Sequence, residues 1–273
     1  MAIYDCFQFF NEEEILDIRL NILSPFVDYF VIVESIYDHQ GNKRELVFNK
    51  KKFEKFSHKI NYIIVNDVSH SIIKRHQGGH SLIEQYQRNA IIKGLEKSSD
   101  SDLIIISDVD EIPDLRKLNL YNNKNYAVFS QKMFNFKLNL MNVTESNWHG
   151  SRVCLKKNLK SPQFLRNIKF KKYPFWRLDK IRNIQVIENG GWHFSYLQDV
   201  SLIVKKIKSF SHGELNDPLI INEKIINEKI NMGIDIFDRN IEYRKVEIDS
   251  TFPEYIFNNT SKFKKCQPPF SIT

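Results

Sequence analysis

Cysteine is scarce in this chain, whose 273 residues include only Cys6, Cys154 and Cys266. The three lie far apart in the sequence, and none stands in the Cys-x-x-Cys spacing of a zinc or redox motif. An odd number of widely separated cysteines also gives no disulfide framework. We therefore expect three reduced thiols and a fold that needs no covalent cross-link, because a chain of this length buries a sizeable core.

Long apolar runs are missing as well. No stretch approaches the roughly 18 apolar residues of a membrane-spanning helix, and residues 1–7 lack the basic region and apolar core of a signal peptide. The composition, 42% hydrophobic and 27% charged, is that of an ordinary globular protein. We therefore expect a cytoplasmic location.

Acidic residues are in deficit, with 33 Asp and Glu against 40 Lys and Arg, which gives a net charge of +7. Such a charge admits anionic partners, namely nucleic acid, phosphorylated substrates or a membrane surface. The basic residues are spread out, with short runs at 50–52, 169–172 and 262–265 that fit solvated surface. No nucleic-acid-binding motif accompanies them, so we expect no nucleic-acid partner. The last run could instead make a peripheral contact with the inner face of a membrane.

The first 113 residues alternate apolar segments that are typical of buried strands with amphipathic segments that are typical of helices. Capping patterns at Asn11 and Ser81 predict two helix starts. Repeated β-α units of this kind predict an α/β fold with a mostly parallel sheet flanked by helices. Strands are expected at 2–7, 29–33, 60–65, 103–106, 126–136, 150–155 and 190–196, and later helices at 200–210 and within 217–231.

The segment Leu103–Pro113 carries the clearest chemical signal, because its apolar run ends abruptly in Asp108, Asp110 and Glu111. Side chains two apart in an extended segment share a face, so Asp108 and Asp110 can bind one hard cation together. Open α/β sheets bind ligands at the carboxyl ends of their strands, where a cation would neutralise a diphosphate. The competing interpretation is that these carboxylates only cap the turn that leads to Pro113.

Six segments carry a resemblance to a known family, and they lie in order at residues 4–12, 28–35, 87–89, 107–113, 191–196 and 209–212. Together they resemble glycosyltransferase family 17, whose enzymes have the GT-A fold and whose eukaryotic members add the bisecting N-acetylglucosamine of N-glycans. In GT-A enzymes a helix with an Arg-Asn pair, here Arg88 and Asn89, precedes the strand that ends in the metal-binding carboxylates.

The resemblance implies a metal-dependent, inverting glycosyltransferase that moves N-acetylglucosamine from a UDP-sugar to a hydroxyl of a glycan or lipid-linked oligosaccharide. It also implies one GT-A domain over residues 1–273. We divide this domain into a nucleotide-binding half at 1–113, an acceptor and metal half at 114–215 and a C-terminal helical extension at 216–273. Because no membrane anchor is expected, a lipid-linked or precursor oligosaccharide is favoured as acceptor over a glycoprotein.

The expected cofactor is Mn²⁺ or Mg²⁺, bound by Asp108 and Asp110, with His193 as a third ligand because imidazole suits Mn²⁺. A lone His can also be a hydrogen-bonded core residue. For Arg88 the alternative is an ion pair with Glu84, four residues earlier on the same helix face. Glu34 could cap a turn, and the aromatic candidates could fill the core. The predicted substrate-binding residues are Phe9, Asn11, Glu34, Arg88, Asn89, Trp148 and Trp192.

The sequence leaves the general base open. Glu111 and Glu214 are the first candidates, followed by Asp179 and Glu188. Two other functions also stay open: a sugar-phosphate nucleotidyltransferase, and a non-enzymatic module that binds polyanions or membranes. The first would usually carry a Gly-rich basic loop after the first strand, which residues 7–11 do not provide. The metal hypothesis itself requires Asp108 and Asp110 to be open to a cation rather than paired with basic side chains.

Overall fold

A computed structural model describes residues 1–69, 71–73, 82–122, 124–169, 176, 181, 184–209 and 222–269. The α-helices are α1 (Glu13–Leu23), α2 (Leu82–Asn89), α3 (Pro162–Asn167), α4 (Val200–Ser209), α5 (Glu223–Met232) and α6 (Glu254–Asn258). Short 3-10 helices cover Glu54–Phe56, Ala90–Leu95, Leu115–Leu120, Lys156–Asn158 and Lys264–Cys266. The strands are β1 (Ile3–Gln8), β2 (Tyr29–Ser35), β3 (Ile60–Val65), β4 (Leu103–Asp108), β5 (Glu111–Pro113), β6 (Ala127–Asn135), β7 (Leu140–Asn142), β8 (Asn147–Leu155), β9 (Gln185–Ile187), β10 (Gly191–Ser195) and β11 (Tyr243–Lys245).

The strands form one sheet in the order β11-β7-β6-β8-β4-β1-β2-β3, with β9 paired to β6 and β10 paired to both β5 and β6. The four strands β4-β1-β2-β3 are mutually parallel, as the β-α pattern predicts. Beyond β4 the sheet continues through antiparallel pairs, from β8 to β6 and β7 and then to β11. The α/β prediction is confirmed, whereas the antiparallel pairing of the strands beyond β4 was not predicted from the sequence.

The central parallel strands β1, β2 and β4 are mostly apolar because helices and loops cover both faces of the sheet there. In β2, Val31 and Ile32 are both fully buried, but they enter two different hydrophobic clusters on opposite faces. Cys6 and Phe7 in β1 divide in the same way. This double burial leaves the polar residues at the carboxyl ends of the strands as the points that ligands can reach.

Strand β10 brings a distant segment against the loop after β4. His193 stands opposite Glu111 in the antiparallel pair of β10 and β5, and the Phe194 amide donates to the Asp110 carbonyl at 2.9 Å. Gly191 makes this approach with φ +134°, and a Cβ there would lie 2.2 Å from the Ile112 carbonyl oxygen. A side chain at position 191 would therefore block the approach of β10 to β5.

The C-terminal elements α4, α5 and β11 pack against one another and extend the sheet. Ile203 and Ile207 of α4 bury against Ile226 and Ile230 of α5, and β11 extends the sheet from β7. The described portion of residues 216–273 thus contains a strand as well as helices. None of the helices in the described ranges is both long enough and apolar enough to cross a membrane.

Candidate active site

The carboxyl ends of β1, β2 and β4 open into a cavity of about 320 Å³, the site expected at this edge of a parallel sheet. Strand β10 and helices α2 and α4 close its other walls. The predicted residues that line it are Phe9, Arg88, Asp108, Asp110, Trp148 and His193. The lining residues that the sequence had not singled out include Glu12, His39, Arg44, Tyr196 and Lys206.

Asp108 faces two guanidinium groups. Its Oδ2 lies 2.6 Å from Arg166 Nη2, and its Oδ1 lies 3.2 Å from Arg88 Nη2. Burial raises the pKa of Asp108, but the charges of Arg166 and Arg88 outweigh burial and lower this pKa to about 2. Both oxygens of Asp108 are therefore already balanced by positive charge.

Asp110 is held more loosely. Its Oδ1 lies 3.5 Å from His193 Nε2, and its Oδ2 lies 3.6 Å from Lys206 Nζ. Both distances exceed the roughly 2.7–2.9 Å of a charge-assisted hydrogen bond. Burial raises the pKa of Asp110, but the charges of Lys206 and His193 lower it by more than burial raises it. The resulting pKa is well below the usual range of an Asp side chain. His193 Nδ1 is buried without a hydrogen-bond partner.

The fit of a metal ion follows from these contacts. In the described part of the chain, no three His, Cys, Asp or Glu side chains form a group that could hold a metal ion by themselves. The predicted set of three ligands is not formed, because Asp108 is turned to Arg88 and Arg166. Asp110 and His193 remain as a carboxylate and an imidazole side by side. Such a pair fits an ion that takes its other ligands from substrate phosphates and water.

Glu111 is not placed to act as a base. Its side chain is fully buried and is absent from the cavity wall. Oε1 accepts from Trp148 Nε1 at 2.6 Å and Arg166 Nη2 at 2.8 Å, and Oε2 accepts from Arg166 Nη1 and the Asp108 amide, both at 3.0 Å. This corrects the prediction of a catalytic role: Glu111 instead positions Arg166 and Trp148.

The other candidate bases lie elsewhere. Glu214 and Asp179 fall outside the described residues, as does the predicted helix cap Ser81. Glu188 is exposed and does not line the cavity. The assignment of the base to Glu214 therefore stays a prediction.

Glu34 also has a structural role rather than the predicted contact with the nucleotide. It is fully buried, and its carboxylate accepts from the amides of Val47 at 2.8 Å and Phe48 at 3.1 Å. Arg44 Nη2 at 3.0 Å and the Tyr62 hydroxyl at 2.7 Å complete its partners. These bonds pin the segment that follows β2, and they leave the carboxylate no opening to the cavity.

Arg88 and Asn89 both bind Gln163, in the first turn of α3. Arg88 Nη1 donates to Gln163 Oε1 at 2.7 Å, and Asn89 Oδ1 accepts from the Gln163 amide at 3.0 Å. Arg88 also makes the ion pair with Glu84, at 2.5 Å. Arg88 reaches the cavity, whereas Asn89 does not line it. The pair therefore fixes the helix that carries Arg166, which corrects the predicted substrate contact of Asn89.

Trp192 and Asn11 also lie outside this cavity. Successive side chains of a strand point to opposite faces, so Trp192 turns away from the cavity that His193 faces. Trp192 is 4% exposed, and its Nε1 donates to the Thr251 carbonyl at 3.1 Å. Asn11 lines a separate cavity of about 430 Å³, where its amide atoms are buried without partners. Neither residue is placed to contact a donor in the main cavity.

Two of the predicted aromatic residues line the cavity, one of them packed and the other open. Phe9 is 3% exposed and meets Phe48 edge to face, with ring centroids 6.0 Å apart. Trp148 is 38% exposed, and its ring centroid lies 5.1 Å from that of His193. Trp148 is thus a fixed, accessible ring next to the candidate metal ligands.

Arg19 holds the loop that carries the aspartates, and sequence reasoning missed it. It is fully buried, and its guanidinium binds both oxygens of Asp5 at 2.6 and 2.8 Å. Its Nη1 donates to the carbonyl oxygens of Asp108 at 3.1 Å, Val109 at 3.2 Å and Glu111 at 2.6 Å. Arg19 therefore sets the path of the loop that aims Asp108 and Asp110.

The sequence did hold a signal for Arg19, because this charged residue lies on the apolar stripe of α1, between Leu16 and Leu23. The signal for Lys206 is weaker: it follows Ile203 by three residues and so shares the inward face of α4. For Arg166 we find no local signal, since its partners come from β4 and β5.

Comparisons with known proteins bear on the whole chain. The family model described as glycosyltransferase family 17 matches residues 1–265 of the 273. This range contains every described residue of the cavity. A search of curated proteins returned no match.

Proposed function

Because the chain belongs to glycosyltransferase family 17, we propose that it transfers N-acetylglucosamine from the UDP-sugar, with inversion, to a hydroxyl of a glycan or lipid-linked oligosaccharide. The observation that carries this proposal is the pairing of Asp110 with His193, 3.5 Å apart, at the carboxyl edge of the parallel strands. This edge is where a nucleotide diphosphate is expected to lie in such a sheet.

Asp110 and His193 are the residues that we propose to hold Mn²⁺ or Mg²⁺. When bound, the ion would stabilise the negative charge that develops on the diphosphate as the bond to the sugar breaks. Asp108 has a different part in this proposal. Its ion pairs with Arg88 and Arg166 hold the end of β4 in place, so that Asp110 keeps its position next to His193.

Trp148 is the residue that we propose to contact a sugar ring. Its indole is exposed in the cavity and is fixed by the hydrogen bond to Glu111, so it can stack on a sugar face with little loss of side-chain freedom. The acceptor hydroxyl must also lose a proton, and Glu214 stays our predicted base for that step.

The test is calorimetric titration of UDP into the wild type, with and without Mn²⁺. We expect binding that depends on Mn²⁺ in the wild type and is lost in Asp110→Ala. The control is Asp67→Ala, which removes a half-exposed carboxylate that pairs with Lys93 outside the cavity. Equal metal-supported UDP affinity in all three proteins would remove the basis for the proposed site.

The donor sugar needs a separate measurement. We expect UDP-N-acetylglucosamine to be hydrolysed faster than UDP-glucose, UDP-galactose or a GDP-sugar, as measured by release of the nucleoside diphosphate. Preference for another sugar nucleotide would contradict the proposed donor while leaving family membership intact.

A further inference from the structure

Lys206 reaches the cavity from α4, where the buried side chains of the described residues, Ile203, Val204 and Ile207, are apolar. Ile203 and Ile207 bury in the cluster between α4 and α5, whereas the side chain of Lys206 is 12% exposed and lines the cavity. A lysine in such an enclosed place is uncommon unless it pairs with anionic groups. Its position therefore calls for an explanation in terms of charge.

The ammonium of Lys206 lies between two carboxylates. Nζ is 3.2 Å from Glu12 Oε1 and 3.6 Å from Asp110 Oδ2, and it stands 5.4 Å from the centroid of the Tyr196 ring. Glu12 is itself fixed, because its Oε2 accepts from the amides of Phe10 and Asn11, both at 3.1 Å. The contact with Asp110 is the longer of the two, so this is the contact that can break with less loss.

Lys206 shares Asp110 with the metal ion of the proposed function. A divalent cation on this carboxylate repels an ammonium that touches the same group, and the repulsion is strong in a partly enclosed site. The ammonium then needs another anion. The diphosphate of a sugar nucleotide supplies two negative charges in the same cavity, and lysine is a common point-charge ligand for phosphate.

We propose that Lys206 is a donor-binding residue, whose ammonium pairs with Asp110 and Glu12 before the donor enters and moves to a phosphate oxygen when metal and donor bind. This inference rests on the proposed function, which supplies the diphosphate. It adds a residue and a sequence of contacts that the metal site alone does not require. The competing role for Lys206 is a fixed structural ion pair with Glu12.

Lys206→Met separates the two roles, because it removes the charge and leaves an unbranched side chain that is one atom shorter. As a donor ligand that competes with the metal, Lys206 lowers the affinity for Mn²⁺ alone and raises the affinity for UDP. The variant is then expected to bind Mn²⁺ at least as tightly as the wild type. With Mn²⁺ saturating, it should bind UDP about tenfold or more weakly, since a charged partner of the phosphate is gone.

The experiment uses the full chain after removal of metal by a chelator. Calorimetry measures Mn²⁺ alone and UDP at saturating Mn²⁺, and ligand-observed NMR measures uridine, which has no phosphate. Lys205→Met is the matched control, because Lys205 is the exposed neighbour on α4 and should behave as wild type. Lys206→Arg keeps the positive charge and should retain UDP affinity within about threefold of wild type.

A loss of UDP affinity with unchanged uridine affinity, recovered in Lys206→Arg, supports the proposal. Unchanged UDP affinity in Lys206→Met overturns it. An equal loss of affinity for uridine and UDP also overturns it, because the nucleoside pocket is then distorted. Weaker binding of Mn²⁺ alone by Lys206→Met overturns it too. If Lys206→Met does not fold, a loss of UDP affinity in folded Lys206→Arg overturns it as well. A wild type that binds no UDP with Mn²⁺ defeats the proposed function itself, and the inference with it.

Discussion

Arg166 and Asp108 are joined by an ion pair of 2.6 Å between Nη2 and Oδ2, although 58 positions separate them in the sequence. The same guanidinium binds both oxygens of the buried Glu111. The short helix α3 thus carries a positive charge to the end of β4. As a result, the first aspartate of the Asp-x-Asp motif is compensated by protein groups, and Asp110 is the one left to pair with His193.

The first prediction separates the two aspartates. Asp110→Asn should lower Mn²⁺-supported UDP affinity by about tenfold or more, because it alters a proposed ligand of the ion. Asp108→Asn should leave that affinity closer to wild type and lower the free energy of unfolding by about 1 kcal/mol, since its side chain is 40% exposed. Calorimetry and urea unfolding measure both effects. An equal loss of affinity in the two variants would instead support the original prediction that Asp108, Asp110 and His193 bind the ion together.

The second prediction concerns Glu111. Glu111→Gln should lower the free energy of unfolding by about 3 kcal/mol, because it leaves the Arg166 charge in an enclosed site with a weaker partner. Glu188→Gln, an exposed glutamate outside the cavity, is the control and should be neutral. Urea unfolding gives the comparison. A Glu111→Gln protein of wild-type stability with abolished turnover would point back to a catalytic base.

The third prediction concerns the buried Arg19. Arg19→Lys keeps the charge but loses the planar fork that binds Asp5 and three carbonyl oxygens together, so it should cost about 3 kcal/mol of stability. Arg116→Lys alters an arginine that is half exposed and pairs with Asp114, and it should cost under about 1 kcal/mol. The two are compared by urea unfolding. Equal small losses would show that Arg19 does not hold the loop.

The fourth prediction is a pH dependence at Asp235, which is 1% exposed and accepts from Arg239 Nη2 at 2.8 Å and the Tyr243 hydroxyl at 2.7 Å. Burial raises its pKa, but these hydrogen bonds lower it more, so the folded pKa lies below the unfolded value of about 3.9. The stabilisation is therefore complete above that value and is lost as the pH falls through the folded pKa.

Asp235→Asn should accordingly be less stable than wild type by about 1–3 kcal/mol at pH 7, and the difference should shrink at pH 3. Unfolding by urea at the two pH values measures it. Asp238→Asn, at a side chain that is 72% exposed, is the control. A difference that stays constant with pH would mean that the Asp235 charge contributes nothing.

Most of the parallel half of the fold could be predicted from the sequence. Apolar runs such as Ile60–Val65 have the length and composition of a buried strand, and they form strands with those bounds. The short strands β5, β7, β9 and β11 could not be predicted in this way. Each has three residues, which is too short for a periodic pattern, and each exists through its pairing with a distant strand.

The sequence by itself determined the family, the parallel sheet and the position of the aspartates at the end of β4, because these depend on local pattern and on the order of motifs along the chain. Only the tertiary structure decided which carboxylates face the cavity. Burial and charge pairing are set by side chains from remote elements, such as Arg166, Lys206 and Arg44. For that reason the sequence could identify three carboxylates of a type suited to a site, but it could not show that protein groups would neutralise them. In the folded chain these carboxylates, Glu34, Glu111 and Asp108, are paired with arginines and other hydrogen-bond donors of the protein.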